Sequence, residues 1–229
     1  MKIQQKGFTL VEIAIVLVII GLLLGGILKG QEMIVQAKVK NSITDFSGIS
    51  AAYFGYQDRY RAIPGDDSQA ATRWTTPTAA TSGNGDRVLT GVYNAVVGAT
   101  FPANESALWW DHLRRSGFVT GSGTTQPQNS FAGTIGVMQG DGAGVAGTAP
   151  GAVLAFGTAP GFTNLMMCST NLPDKVAIAL DVQMDDGTPS SGSVRGITAT
   201  TDPTTANLAT AASNYVETGT TIYTLCRQF

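Results

Sequence analysis

From Phe8 to Leu28 the chain carries an unbroken apolar run in which Thr9 and Glu12 are the only strongly polar side chains. Coiled as a helix at about 1.5 Å per residue, the run extends roughly 31 Å, one bilayer hydrocarbon core. Beyond Lys29 the pattern turns from continuous to periodic: Val39, Ile43, Phe46, Ile49, Tyr53, Tyr56 and Tyr60 recur every three or four positions. That spacing predicts an amphipathic continuation of the same helix. The expected element is residues 8–62, membrane-spanning over 8–28 and amphipathic over 29–62, with Pro64-Gly65 as its stop. Lys38, Lys40, Asp45, Asp58 and Arg59 lie mostly off the apolar stripe and read as its solvated face. Gly21, Gly25, Gly26 and Gly30 each lower helix propensity by about 0.8 to 1 kcal/mol relative to alanine, which marks either a locally weakened segment or a site of close helix packing.

Residues 63–229 read as one globular head domain, because the length leaves room for a single core of ordinary size beyond the helix. Pro64 to Ser68 is a turn leading into a short helix through Trp74, with Asp67 or Ser68 as cap. The paired carboxylates Asp66 and Asp67 are better explained as capping groups than as metal ligands, since no second acidic cluster is nearby in sequence. The stretch 75–91, with Asn84-Gly85-Asp86, reads as a loop without assignable chemistry. Residues 104–116 form a helix capped by Asn104 and stopped by Gly117, with Leu108, Trp109, His112 and Leu113 on one face. Asn104-Glu105-Ser106 also fits a glycosylation acceptor. Ile135 to Met138 and Ala152 to Phe156 suit strands, and Gly140 to Gly144 a turn between strands. Pro173 opens a helix with Val176, Ala179, Leu180, Gln183 and Met184 at helical spacing, a strand over 175–184 being the alternative. Asn214 to Phe229 fits a last strand pair. The fold class is therefore α+β: a long N-terminal helix on a head of short helices and a small, mostly antiparallel sheet.

The formal charge of −2, with no lysine or arginine cluster downstream, makes nucleic acid a poor default partner. Charged residues are 13% of the chain against 43% hydrophobic, a balance closer to a packed extracellular subunit than to a cytosolic enzyme. Cys168 and Cys226 are the two cysteines and both lie beyond the membrane run. In an oxidising compartment they read as one disulfide worth roughly 4 kcal/mol, with buried free thiols or a metal pair as the competing readings. A zinc site would lack ligands, because His112 is the one histidine. His112 itself reads as a packed surface residue rather than a base, since no nucleophile or metal set accompanies it. Asp181, Asp185 and Asp186 read as a helix end and turn held by bonds to backbone, with calcium as the less favoured alternative. No cofactor and no catalytic set is implied.

A carboxylate inside an apolar run costs roughly 2.5 to 3.5 kcal/mol on insertion scales, so Glu12 is a functional candidate unless it belongs to a plain anchor and reaches water at one end. The preceding segment, Met1 to Gly7, carries Lys2 and Lys6 and ends in glycine directly against the run. A secretory signal would place its small-residue cleavage site after the apolar region instead. Lys6-Gly7-Phe8-Thr9-Leu10-Val11-Glu12 resembles, residue for residue, the class III leader junction of the type IV pilin superfamily, pilins and pseudopilins alike.

The resemblance implies residues 1–7 as a leader peptide removed by a prepilin peptidase between Gly7 and Phe8, and N-methylation of Phe8. It implies that Glu12 of one subunit meets the Phe8 ammonium of a neighbour. It further implies a homopolymeric or mixed filament with this chain as its own partner, and an inner-membrane assembly platform with an ATPase. The chain would sit in the inner membrane before assembly and in an extracellular pilus or periplasmic pseudopilus afterwards. The glycines at positions 21 to 30 would then be a stretch that unwinds on filament entry; the proline many members carry hereabouts is absent. A structural subunit of an extracellular pilus-like filament is the first reading, with a pseudopilin of a type II secretion system and a membrane-tethered binding domain as the alternatives.

Overall fold

The computed structural model describes residues 9–94, 104–140, 154–156, 161–199, 207–208 and 214–229. The leader, the Gly7/Phe8 junction and the turn at 141–144 lie outside them. Two compact units divide the chain between Lys40 and Asn41.

Helix α1, Leu10–Tyr60, runs through Gly21, Gly25, Gly26 and Gly30 without a break. In the first unit the large apolar side chains from Leu10, at 91%, to Val35, at 38%, are exposed, Val39 being buried, and the helix is long and apolar enough to cross a membrane. Such a surface calls for lipid or another apolar helix around it.

The second unit takes in the last turns of α1. Phe46, Ile49, Tyr53 and Tyr56 are buried and Ile43 and Tyr60 half-buried, as the three-and-four spacing requires. They pack in one cluster with Trp109, Trp110 and Leu113 of α3 (Glu105–Arg115), with Ile135 and Val137 of β1 (Ile135–Gln139), and with Leu165 and Met167 of β3 (Leu165–Pro173). Tyr53 stacks on Trp109 at 5.3 Å between ring centres. The helix ends one residue before Arg61, which takes the left-handed conformation at φ 55. The stop therefore comes at Arg61, ahead of Pro64-Gly65.

Helix α2 is short, Ala70–Arg73. Its N-cap position is Gln69 rather than Asp67 or Ser68, and Asp67 acts one step earlier by accepting the Gln69 N–H at 2.8 Å. Asn104 occupies the N-cap position of α3 without a side-chain capping bond, and the Ser106 N–H of the first turn donates instead to the Thr90 carbonyl at 2.9 Å. Gly117, at φ 81, ends the helix as its sequence position implies.

The remaining elements are β2 (Ala155–Phe156), α4 (Asp174–Met184), β4 (Val194–Thr198), β5 (Asn207–Leu208) and β6 (Ile222–Gln228). Segment 175–184 is thus helical, with Pro173 at the N-cap rather than inside the first turn. The main sheet has the order β1-β3-β6-β4 with every neighbouring pair antiparallel, and β2 and β5 form a separate parallel pair. Gly136 sits within β1 because a Cβ there would fall 1.8 Å from the Tyr93 carbonyl oxygen. Cys168 of β3 lies directly opposite Cys226 of β6, and the two are joined by a disulfide.

Candidate functional site at the start of the long helix

The first turn of α1 is built by Thr9 and Glu12. Thr9 Oγ1 accepts the Glu12 N–H at 3.3 Å, while Glu12 Oε2 accepts the Thr9 N–H and the Thr9 hydroxyl, each at 2.8 Å. This is a reciprocal capping box, and it places a carboxylate at the positive end of the helix dipole. The sequence carried the signal, a threonine followed three residues later by glutamate ahead of an apolar run, and the reading of Glu12 as an isolated acid passed over it. Only Oε2 is engaged. Oε1 makes no hydrogen bond among the described residues, so one face of the carboxylate stays open to a further donor.

His112 is fully buried, not a surface residue. Its Nδ1 accepts the Gly65 N–H at 2.9 Å and its Nε2 donates to the Thr81 carbonyl at 2.8 Å. Burial pushes its pKa below the usual imidazole value, against opposing pulls from the Thr81 carbonyl, Asp67 and Asp111. Both nitrogens are committed to backbone, so the ring works as a strut between α3, the turn at Gly65 and the loop at Thr81.

The fold assembles two carboxylate triads in which oxygens lie within 4.8 Å of one another: Asp66, Asp86 and Glu105, and Asp181, Asp185 and Asp186. The first corrects two expectations, since Asp66 does have an acidic cluster in reach and the loop carrying Asp86 does have a role. Asp66 accepts the N–H groups of Gly85 and Arg87 at 2.7 and 2.8 Å. Glu105 accepts those of Asn84 and Thr90 at 2.8 and 3.0 Å, and Asp86 accepts that of Val88 and the Asn84 amide. All six oxygens of the triad thus carry a protein donor, and the loop is held down by buried acids. In the second triad Asp181 accepts the Tyr215 hydroxyl at 2.6 Å and the Gly187 N–H at 3.3 Å. Asp185 accepts the Val194 N–H, and Asp186 the Thr188 N–H and the Ser191 hydroxyl. Burial raises the Asp181 carboxyl to about 6. These acids close the turn after α4.

No described cluster presents a nucleophile hydrogen-bonded to a base that is in turn oriented by a third group. Residues 2–28 match the family model described as the prokaryotic N-terminal methylation motif, the class III prepilin leader of type IV pilins and pseudopilins. That motif supports a type IV pilin- or pseudopilin-like protein, and the apolar first part of α1 fits membrane anchoring. The motif is one of structural subunits rather than of an enzyme family. Neither the curated proteins nor the solved structures include a significant match to the chain.

Proposed function

We propose that this protein is a structural subunit of an extracellular type IV pilus-like filament. The observation that carries the reading is the methylation motif lying on a helix whose large apolar side chains are exposed from Leu10 to Val35. A prepilin peptidase removes residues 1–7 by cutting between Gly7 and Phe8, and the new Phe8 amine is methylated. Residues 8–28 then leave the bilayer for the equally apolar interior of a bundle of copies, extracted by an ATP-driven platform in the inner membrane.

Glu12 fits this sequence of events because its Oε1 is open while Oε2 is held by Thr9. The Phe8 ammonium of a neighbouring copy supplies the missing donor, so two charges that are each costly in an apolar medium neutralise one another. The pair fixes the axial register of neighbouring copies. Residues 8–62 supply the filament core and the platform for the head, and residues 63–229 the rest of the outer surface.

The N-terminal mass of the mature protein tests the processing route. A start at methylated Phe8 is expected, and retention of Met1 would overturn the reading. Glu12→Ala is expected to remain membrane-inserted while filament incorporation is slowed or lost. Assembly at the wild-type rate would remove Glu12 from the role given to it here.

A further inference from the structure

The loop at Asn84-Gly85-Asp86 acquires chemistry from the acids packed against it. Asn84-Gly85 is the one Asn-Gly pair of the chain, and both residues are exposed. An asparagine side-chain amide can be attacked by the main-chain nitrogen that follows it, closing a five-membered imide and releasing ammonia. Glycine in the second position leaves that nitrogen unshielded, because it has no Cβ. Two things hold the reaction back. An amide nitrogen is a poor nucleophile until a base takes its proton, and the side-chain oxygen must carry negative charge as the new bond forms.

The fold supplies a group for each. The Gly85 N–H donates to Asp66 Oδ1 at 2.7 Å, within reach for proton transfer. Burial raises the Asp66 carboxyl above the usual range, with the Glu105 and Asp86 charges acting the same way against the bonds from the Arg87 and Gly85 N–H groups. Asp66 is therefore a stronger base than an exposed aspartate. Asn84 Oδ1 accepts the Asp86 N–H at 2.8 Å, a main-chain donor already aimed at the oxygen on which charge develops. The reacting residue is pinned on either side: the Asn84 N–H is held by Glu105 Oε1 at 2.8 Å, and Asn84 Nδ2 donates to Asp86 Oδ2 at 2.9 Å.

We propose that Asn84 is a self-modification site, at which the Gly85 nitrogen, with Asp66 as base, attacks the Asn84 side-chain amide. The Gly85 proton passes to Asp66 Oδ1, a bond forms between the Gly85 nitrogen and Asn84 Cγ, and Asn84 Oδ1 carries the charge under the Asp86 N–H. The Cγ–Nδ2 bond then breaks, and Nδ2 leaves as ammonia with the proton returned from Asp66 through water. A second water opens the imide at either carbonyl, leaving aspartate or isoaspartate at position 84. The product disturbs the loop that made it. A carboxylate replaces the amide that donates to Asp86, and it joins Asp66, Asp86 and Glu105, whose oxygens already lie within 4.8 Å of one another. Isoaspartate also lengthens the main chain between the N–H groups held by Glu105 and Asp66. The head thus carries a slow, one-way change on an exposed loop.

Mass spectrometry of the tryptic peptide 74–87, taken over days from the full chain kept folded in detergent, follows conversion of the amide to the acid. A synthetic peptide of residues 82–88 gives the rate without Asp66. The folded chain is expected to convert at least about tenfold faster than the peptide, a modest share of what a positioned base supplies. Asp66→Asn keeps an oxygen facing Gly85 and removes the base, so its rate is expected to fall to that of the peptide; thermal unfolding shows whether it is folded. Should it fail to fold, the comparison of wild-type chain and peptide decides alone. A folded chain that converts no faster than the peptide, or a folded Asp66→Asn that converts at the wild-type rate, overturns the proposal. Acid formed without any isoaspartate would mean direct hydrolysis and overturns the attack by Gly85.

Discussion

The Tyr56 hydroxyl donates a 2.6 Å hydrogen bond to the Asp67 carboxylate, which also pairs with the Arg73 guanidinium. Burial alone would raise the Asp67 carboxyl, yet Arg73, Tyr56 and the Gln69 N–H together hold it below the ordinary aspartate value. The Arg73 guanidinium lies over the Tyr60 ring at 4.3 Å, so the last two turns of α1 are tied to α2 through one acid and one base. Tyr56→Phe keeps the ring and removes the donor. It is expected to cost about 1.5 to 3 kcal/mol of stability, the range for a hydrogen bond to a charged group, measured by denaturant unfolding in detergent. A change within error would mean that Arg73 alone satisfies the acid.

His112 gives the head a defined response to pH. Its folded-state pKa lies below the ordinary value of 6.5, so it contributes stability that is present above about pH 6.5 and lost as pH falls through the folded value. Protonation would put a proton on Nδ1, where the Gly65 N–H now donates. Asp181 acts in the other direction: with its carboxyl raised from 3.8 to about 6, it contributes stability present at the acid end and lost as pH rises through about 6. Unfolding from pH 7.5 to 4.5 is therefore expected to show a steeper acid loss in Asp181→Asn than in the wild type. The imidazole resonances of His112 should stay those of the neutral ring to below pH 6.5. Titration at the ordinary value would contradict the strut role.

The Cys168–Cys226 bond joins the two central strands of the main sheet. Closing a loop with a sequence separation of 58 constrains the unfolded chain, and replacing both cysteines by serine is expected to cost about 2 to 5 kcal/mol. Chemical denaturation with and without reductant measures it. The serine variant should be insensitive to the reductant.

Glycines on β1 and α1 separate crowding from conformational freedom. At Gly136 an added methyl would fall 1.8 Å from the Tyr93 oxygen, whereas at Gly48, on the exposed side of α1, it would meet nothing within 4 Å. Gly136→Ala is expected to destabilise by at least about 1 to 3 kcal/mol. Gly48→Ala is expected to stabilise by about 0.4 to 1 kcal/mol. Thermal unfolding of the pair in parallel checks both signs.

What the sequence made legible was local. The apolar run and the stripe through Phe46, Ile49, Tyr53 and Tyr56 announce α1 because helical period is written in neighbouring residues. The leader junction at Gly7-Phe8 is equally local, and so was the capping box of Thr9 and Glu12, which the reading of Glu12 as an unsatisfied acid obscured. The acid-bound loop was not legible, since Asp66 meets Gly85 and Arg87, and Glu105 meets Asn84 and Thr90, across 15 to 21 positions of unpatterned Thr, Ser and Gly text. Asn104 and Asp67 look like caps by residue type, and tertiary contacts gave those turns other donors and acceptors. Asp45 sits off the apolar stripe and so read as solvated; it is half-buried and lines a surface cavity with residues 128–130, and periodicity on its own helix cannot report a cover from elsewhere.

Because Phe46, Ile49, Tyr53 and Tyr56 belong to the hydrophobic cluster of the head, the helix cannot be trimmed to its end without gutting that cluster. A truncated protein beginning near Asn41 would keep that cluster and shed the lipid-seeking portion. One beginning after Tyr60 would expose Trp109 and the sheet face to water and precipitate. The choice of first residue in recombinant work is thereby set by packing inside the head, and the visible boundary of the helix is the wrong guide to it.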